Sequence, residues 1–388
     1  MKQSPTVLYL AESVSMNSES GDSAHVEEFT TALARKDYRV VVEIRGKTDR
    51  SRSGLISLPD FHFPFSIFTY LFATLATALQ LMIKHFAFVY QRDSGLNIGL
   101  LLAKIRGVPV ILEINGDFSV EYSNLSSIIR AVFKIIMHLT YSMADLLVIP
   151  SENQIKMLKP YRVDRDKVLV VPNGVNPKTF VPMSKTECRM RIGLNYDHTL
   201  MCFVGNLAPW QGLDTALLAF YRFCKLYHIE SKFLIVGDGV MLDKLRRLAS
   251  DLSLNEQVIF FGSVEHSLVP IVINACDICV APFTSWRNKE IGVSPLKLME
   301  YLSCGKPVIT TAIPGATKLI NELDAGLVAE PDNADALAKA YKNAVENLPN
   351  WRGREHEWHA EIAYSHSWSK SVDLIIERMQ ETRKDYVA

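Results

Sequence analysis

The chain has 388 residues, 42 of them basic and 42 acidic, so its formal charge at pH 7 is zero. That length exceeds what one ordinary hydrophobic core organises, and it predicts two domains. The balanced charge excludes a protein that wraps nucleic acid electrostatically, so no nucleic-acid partner is expected. The first residues run into a strand-like segment without the apolar core and cleavage site of a signal peptide, which predicts a cytoplasmic protein.

Apolar runs of strand length alternate with helical patterns through the first half of the chain. The predicted strands are 7–10, 38–44, 88–90, 108–113, 146–150 and 168–171. The clearest helices are 25–36, 97–106 and 128–144. This alternation is typical of a parallel sheet covered by helices.

One segment of this half, residues 66–83, has 18 residues without a charge. That length reaches the threshold for a membrane-spanning helix. Serine, threonine and glutamine residues interrupt the segment, and it lies between a predicted loop and a strand. These features favour a crossover helix that covers the sheet and has one face available to lipid.

The same alternation starts again in the second half. Strands are predicted at 200–204, 232–236, 258–261, 278–282, 307–310 and 326–329, and helices at 213–228, 241–252, 268–275, 295–303 and 334–347. The predicted fold class is α/β, with two tandem Rossmann-like doubly wound domains facing across a cleft. We expect an N-terminal domain over 1–178, a C-terminal domain over 179–366 and a final helix over 367–388 that packs back on the first domain.

Two short patterns superficially match metal sites. Cys276 and Cys279 have the spacing of a zinc or redox pair, but they lie in an apolar run without a second Cys/His pair. We therefore expect reduced core thiols. Asp164 and Asp166 form an Asp-x-Asp pattern among alternating charges in a polar loop, which favours solvated surface. No metal-binding residue is predicted.

Ligands of doubly wound sheets bind beyond the carboxyl ends of the strands, so the loops that follow strands are the candidate sites. Gly21, Gly205 and Gly237 lie in such loops, where the backbone can approach a phosphate closely. Lys297 and Glu300 share one face near the start of a predicted helix. This pair suits a diphosphate and a ribose, but the spacing alone fits a surface ion pair equally well.

Six short segments keep the order and spacing of one known family over nearly the whole chain. They are GDSAHV at 21–26, PNGVN at 172–176, FVG at 203–205, WQG at 210–212, VGDG at 236–239 and SPLKLMEYLSCGKPV at 294–308. Together they resemble the family 4 glycosyltransferases of the GT-B fold. The resemblance implies a retaining, metal-independent transfer from a nucleotide-sugar donor that is held mainly by the C-terminal domain.

The resemblance also assigns roles in donor binding. Glu300 matches a motif glutamate that is expected on the ribose, whereas Gly292 occupies the position of an earlier glutamate, so that role is vacant or passes to Glu290. The implied donor-binding residues are Gly21, Gly205, Asn206, Gln211, Gly237, Arg287, Lys289, Glu290, Gly292, Ser294, Pro295, Leu296, Lys297 and Glu300.

Two positions of this set depart from the family pattern. Asn206 and Gln211 stand where most members carry an arginine and a lysine that compensate the charge of the diphosphate. That leaves Arg287, Lys289 and Lys297 as the candidate phosphate contacts, helped by the start of the helix near 295.

The segment EINGD at 113–117 resembles the acceptor-side loop of the family. Asn115 and Asp117 are therefore expected to orient the acceptor hydroxyl or hold the transferred sugar, the alternative being a simple helix cap. His25 has the position of a cleft-facing histidine of the family, the alternative being a structural histidine. The implied catalytic residues are His25, Asn115, Asp117 and Lys297.

The function implied is that of a retaining hexosyltransferase acting in glycan, polysaccharide or glycolipid biosynthesis. Its donor is a UDP- or GDP-linked sugar, a substrate, and no cofactor is expected. Aromatic residues at 61–70 and the apolar helix predict an encounter with the inner face of a membrane and a glycan or lipid-linked acceptor. The alternatives are a sugar-nucleotide epimerase on the same fold, or a catalytically silent nucleotide-sugar-binding or scaffold subunit, which Gly292, Asn206 and Gln211 motivate.

Overall fold

Two parallel β-sheets, one in each half of the chain, organise the fold. The computed structural model describes residues 4–15, 21–46, 54–59, 66–92, 97–116, 126–194 and 197–387. One unit contains Met1–Ser18 and Asp22–Pro172 together with the C-terminal Ser371–Ala388, and the other contains Glu19–Gly21 and Asn173–Lys370.

The first sheet has seven parallel strands within the described residues. They are β1 (Thr6–Ser15), β2 (Arg39–Arg45), β3 (Leu55–Leu58), β4 (Phe88–Arg92), β5 (Val110–Glu113), β6 (Leu146–Ile149) and β7 (Val168–Val170). The helices of this half are α1 (Gly21–Ala34), α2 (Ser66–Ile83), α3 (Gly99–Ile105), α4 (Ser127–Met143) and α5 (Ile155–Leu158). The strand order is β3-β2-β1-β4-β5-β6-β7, so the topological switch point lies between β1 and β4.

The second sheet repeats this plan with six parallel strands in the described part of the chain. They are β8 (Thr199–Val204), β9 (Ser231–Val236), β10 (Val258–Gly262), β11 (Ile278–Ala281), β12 (Val308–Thr311) and β13 (Gly326–Ala329). The helices are α6 (Lys185–Arg191), α7 (Leu213–Tyr227), α8 (Leu242–Asp251), α9 (Val269–Ala275), α10 (Ser285–Ile291), α11 (Leu296–Ser303), α12 (Ala316–Leu323), α13 (Ala334–Trp351), α14 (Glu355–Ser365) and α15 (Trp368–Val387). The order β10-β9-β8-β11-β12-β13 places the switch point between β8 and β11.

The predicted α/β class with two Rossmann-like sheets is confirmed, and the predicted strands recover all those described except β3. This four-residue edge strand pairs with β2, so its state depends on a partner that a local pattern does not reveal. Residues 285–291 form α10, a helix that the sequence analysis did not predict. Hydrogen bonds from the Asn288 amide to the carbonyls of Thr284 and Trp210 anchor this helix, which its polar sequence does not indicate.

The uncharged segment 66–83 is a crossover helix, as predicted. This helix, α2, packs against β1, β2, β3 and α3, and its buried face carries Thr69, Ala73, Thr77 and Leu81. Across the described ranges, no helix has both the length and the apolar character needed to cross a bilayer.

Two buried carboxylates lie beneath α2, Glu12 on β1 and Glu43 on β2. The Thr77 hydroxyl donates to Glu43 Oε2 at 2.9 Å, and the Asn97 amide donates to the Thr77 hydroxyl at 3.0 Å and also to Glu12. Burial raises the pKa of Glu43 to about 8; the Thr77 hydrogen bond opposes this rise and the charge of Glu12 adds to it. The folded protein therefore holds a proton on Glu43 at neutral pH.

Replacing Glu43 by Gln is expected to stabilise the protein at alkaline pH. Because the folded pKa of Glu43 is raised, its favourable contribution is complete below the unfolded pKa and is lost as the pH rises through about 8. Glu43→Gln should raise the free energy of unfolding by about 3 kcal/mol above that pH and by little at pH 4. Urea unfolding at both pH values measures the difference, with exposed Glu152→Gln as the control. The same gain at both pH values would contradict the assignment.

Candidate functional site

In the first unit, polar side chains meet at the carboxyl ends of β4 and β5. Arg92 and Glu113 are the last residues of these strands and lie side by side in the sheet register. Glu113 Oε1 lies 3.3 Å from His25 Nε2 and accepts a hydrogen bond from the Asn115 amide at 2.7 Å. The Tyr90 hydroxyl donates to Glu113 Oε2 at 2.7 Å. Glu113 therefore joins two of the predicted catalytic residues, His25 and Asn115.

A guanidinium group balances the charge of this buried carboxylate. Arg92 Nε lies 3.4 Å from Glu113 Oε1, and another nitrogen of the same guanidinium lies 2.9 Å from Asp22 Oδ1 at the start of α1. Burial by itself would raise the pKa of Glu113, but the charges and hydrogen bonds of His25, Arg92 and Asn115 hold it well below its ordinary value. Burial lowers the pKa of His25, although Glu113 opposes this. The cluster thus contains an ionised carboxylate that fixes the neighbouring donors.

The predictions for α1 and for the loop after β5 have mixed outcomes. Asp117 lies outside the described residues. Gly21 is the first, exposed residue of α1. Arg92 and Asp22 were not predicted, although the position of Arg92 at the end of β4 was the available signal.

In the second unit, glycine turns lie beyond the adjacent strands β8 and β9. The Gly205 amide donates to the Val236 carbonyl at 2.9 Å. A Cβ atom at Gly237 would lie 2.0 Å from the Gly205 carbonyl oxygen, and φ of Gly237 is +129°. Only glycine fits this close approach of two backbones. Asn206 follows Gly205, and its Oδ1 would lie 2.5 Å from a Cβ atom at Gly239.

Lys297, on the first turn of α11, reaches into this group of turns. Its side chain is 9% exposed, and Nζ donates to Gln211 Oε1 at 2.8 Å. Nζ also lies 3.7 Å from the centroid of the Phe203 ring, a cation–π contact. Burial lowers the pKa of Lys297 to about 7, with the charge of Glu300 opposing this. A titratable cation therefore lies beside Gly205, where a Cβ atom would be 2.9 Å from Nζ.

Glu300 lies on the same helix as Lys297, three residues further on. Its Oε1 is 3.8 Å from His266 Nε2, and the His266 ring contacts Phe180 edge-on with 5.5 Å between centroids. His266 was not predicted. A search of the loops beyond the carboxyl ends of the strands would have found His266, because His266 follows β10.

The remaining predicted residues lie around α10 and the start of α11. The Arg287 guanidinium stacks 4.8 Å from the Trp210 ring centroid. The Ser294 hydroxyl accepts a hydrogen bond from the backbone N–H of Asn173 at 3.0 Å, and the side-chain amide of Asn173 donates to the Ser294 carbonyl at 2.7 Å. Pro295 caps α11 and Leu296 begins it. Lys289 and Glu290 are exposed on the last turn of α10, and Gly292 ends that helix with φ of +69°.

The two doubly wound sheets and the glycine turns around a buried lysine define a GT-B glycosyltransferase fold. The model of the family "Glycosyl transferases group 1" matches residues 184–356, and that of "Glycosyltransferase Family 4" matches residues 20–179. The chain belongs to the group 1, family 4 glycosyltransferases, as the sequence motifs predicted.

Curated relatives and solved structures agree with this assignment. A D-inositol 3-phosphate glycosyltransferase of Stackebrandtia nassauensis is 28% identical over 60% of this chain and 53% of its own length. An Escherichia coli UDP-Gal:alpha-D-GlcNAc-diphosphoundecaprenol alpha-1,3-galactosyltransferase is 28% identical over 64% of each chain. The alignments thus cover between about half and two thirds of these relatives.

Similar solved structures match the chain over almost its full length. Sucrose-phosphate synthase of Thermosynechococcus elongatus has a TM-score of 0.78 at 17% identity, covering 99% of both chains. Anabaena HepE, solved with UDP-glucose, has a TM-score of 0.73 at 16% identity, covering 97% of this chain and 99% of its own. At sequence identities of 16–17%, the structural similarity shows that these proteins share the fold of this chain.

Proposed function

We propose that this protein is a retaining, metal-independent hexosyltransferase that moves a sugar from a nucleoside-diphosphate sugar to an acceptor hydroxyl. The observation that carries this proposal is Lys297, a buried cation with a lowered pKa beside the glycine turns. The buried site disfavours the isolated charge, and a bound diphosphate stabilises it.

The donor is held by the second unit in this proposal. Lys297 and the backbone N–H groups near Gly205 and Gly237 bind the diphosphate, with help from Arg287 and the start of α11. Gln211 cannot neutralise a phosphate, but it accepts a hydrogen bond from Lys297 and so holds Nζ in place. The Glu300 carboxylate accepts hydrogen bonds from the ribose hydroxyls. UDP is the favoured nucleotide, since UDP-glucose occupies HepE and UDP-Gal appears in the name of the E. coli relative.

Catalysis in this proposal is positioning and charge stabilisation. The diphosphate leaves from one face of the sugar, and the acceptor hydroxyl arrives on the same face. Lys297 and Arg287 compensate the negative charge that develops on the leaving group, so no divalent ion takes part. His25 and Asn115, both fixed by Glu113, orient the acceptor hydroxyl or the transferred sugar.

The domain roles follow the same division. Residues 1–178 receive the acceptor, residues 179–366 bind the donor, and the final segment 367–388 packs back on the N-terminal domain, since Ser371–Ala388 belong to the first unit. Two contacts of α15 support the last assignment: Lys36 Nζ lies 2.7 Å from Asp373 Oδ1, and the Ser371 hydroxyl donates to the Pro172 carbonyl at 3.1 Å. The acceptor is a glycan or a lipid-linked saccharide, used in polysaccharide or glycolipid biosynthesis at the inner face of a membrane.

A panel of nucleoside diphosphates and their sugars tests the donor assignment. One nucleotide should raise Tm, since a ligand at 100 times its Kd adds about 2.7 kcal/mol of stability. With its sugar and an acceptor, transfer should occur, and Glu300→Ala should lower kcat/KM by about 10- to 100-fold because a charged hydrogen-bond acceptor is lost. Exposed Glu256→Ala is the matched control.

The outcomes separate the alternatives. Binding without turnover on any acceptor identifies a silent subunit, and conversion of the donor without acceptor identifies an epimerase. Unchanged transfer by Glu300→Ala refutes the site.

A further inference from the structure

The helix α2 exposes most of its large apolar side chains. It buries Thr69, Ala73, Thr77 and Leu81 against the sheet, and Thr77 is held there by its hydrogen bond to Glu43. Large apolar side chains point outward instead, with Leu75 64% exposed and Leu79 48% exposed. A helix that faces water normally presents the opposite arrangement.

Two neighbouring helices extend this exposed apolar surface. α3 packs against both α2 and α4. Ile105 of α3 is 74% exposed, and Ile128 and Ile135 of α4 are 76% and 62% exposed. We call the exposed faces of α2, α3 and α4 the apolar patch. A contiguous patch across three helices exceeds the scattered exposure of a typical monomer surface and indicates an interaction site.

The charged residues within the three helices are all basic. None of the sequences of α2, α3 and α4 contains an aspartate or a glutamate. Arg130 and Lys134 are exposed one turn apart on α4, and Lys84 is exposed just after α2. Lys104 of α3 pairs with Asp145 at the end of the patch. Apolar side chains with basic neighbours complement an anionic bilayer surface.

We propose that the apolar patch docks the first unit onto an anionic lipid surface, with Leu75, Leu79, Ile128 and Ile135 entering the interface while Arg130 and Lys134 contact lipid phosphates. A second copy fits less well, because a two-fold contact through this patch would bring basic residues against basic residues. The inference deepens the proposed function, on which it rests only in taking the acceptor to be lipid-linked.

Vesicle flotation of the full chain tests the docking surface without any sugar nucleotide, so its result is independent of catalysis. The protein should bind vesicles of phosphatidylcholine with about a third phosphatidylglycerol at least tenfold more tightly than phosphatidylcholine alone, and high salt should weaken the binding. Arg130→Gln/Lys134→Gln should bind about 30-fold more weakly, from about fivefold per basic residue. Leu75→Gln/Leu79→Gln should lose most of the binding to either vesicle.

Matched variants on the second unit are the controls. Exposed Arg247→Gln/Lys339→Gln removes the same charges, and Leu226→Gln removes a side chain that is also 64% exposed. All patch positions are exposed, so each variant should keep the circular dichroism spectrum and the transfer rate on a water-soluble acceptor. Equal binding by patch and control variants overturns the proposal. The proposal is also overturned if the wild-type protein does not bind anionic vesicles. It is overturned as well if the patch variants change the oligomeric mass of the protein in solution but not its binding to vesicles.

Discussion

Lys297→Ala is expected to reduce kcat/KM for sugar transfer by about 10²–10³-fold, the loss typical of removing one group that stabilises transition-state charge. Nζ of Lys297 donates to Gln211 and lies over the Phe203 ring beside Gly205, next to the glycine turns that are proposed to hold the diphosphate. Steady-state kinetics with saturating acceptor measures the loss. Lys339→Ala, an exposed lysine of the same unit, is the control and should leave the rate unchanged.

The titration of Lys297 gives this prediction a second readout. Burial lowers the pKa of the Lys297 amine to about 7, and a diphosphate binds the protonated form. Above pH 7 the amine must take up a proton on binding, so Kd of the nucleoside diphosphate should rise by up to about tenfold per pH unit. Lys297→Arg should abolish this dependence, because a guanidinium stays charged. A Kd of wild type that stays constant from pH 7 to 9 would contradict the role of Lys297.

Glu113→Gln is expected to lower the stability of the first unit by about 3 kcal/mol at pH 7, because one partner of a buried ion pair is removed. Arg92 would keep only its ion pair with the exposed Asp22, and His25 would lose its carboxylate neighbour. Calorimetry should show a lower Tm for the first unit. Transfer should also slow by about tenfold at temperatures where the variant is folded, since Asn115 and His25 lose their common anchor.

The pH dependence distinguishes this effect from simple damage to packing. The pKa of Glu113 is lowered in the folded state, so its contribution is present above the unfolded pKa and is lost as the pH falls below that value. The stability gap between wild type and Glu113→Gln should therefore narrow on acidification. Glu27→Gln, an exposed carboxylate on α1, should show no gap at any pH. A gap that is constant down to pH 3 would refute the role of the charge.

Local patterns predicted most strands and the longest helices, because each buried parallel strand is a short apolar run of its own and each long helix repeats its apolar spacing over several turns. They failed at β3 and α10, which depend on partners distant in the chain. At the site, the glycine turns and Lys297 were predicted, because they lie in short motifs that can be recognised from the sequence. Arg92 and His266 lie at or after strand ends, a signal that was not used. The partners of Arg92, Asp22 and His266 are side chains on other elements, and only the structure shows them.

The sequence alone determined the family, the two-sheet class and the loops that carry the site, because these depend on motif order and on residue periods that are local to the chain. Only the tertiary structure decided that Lys297 donates a hydrogen bond to Gln211, 86 residues away, and that Glu113 contacts both His25 and Asn115. It also decided which face of α2 is buried, since an almost uniformly apolar helix has two candidate inner faces. Hydrogen bonds of about 3 Å require elements to be placed far more accurately than any local period specifies.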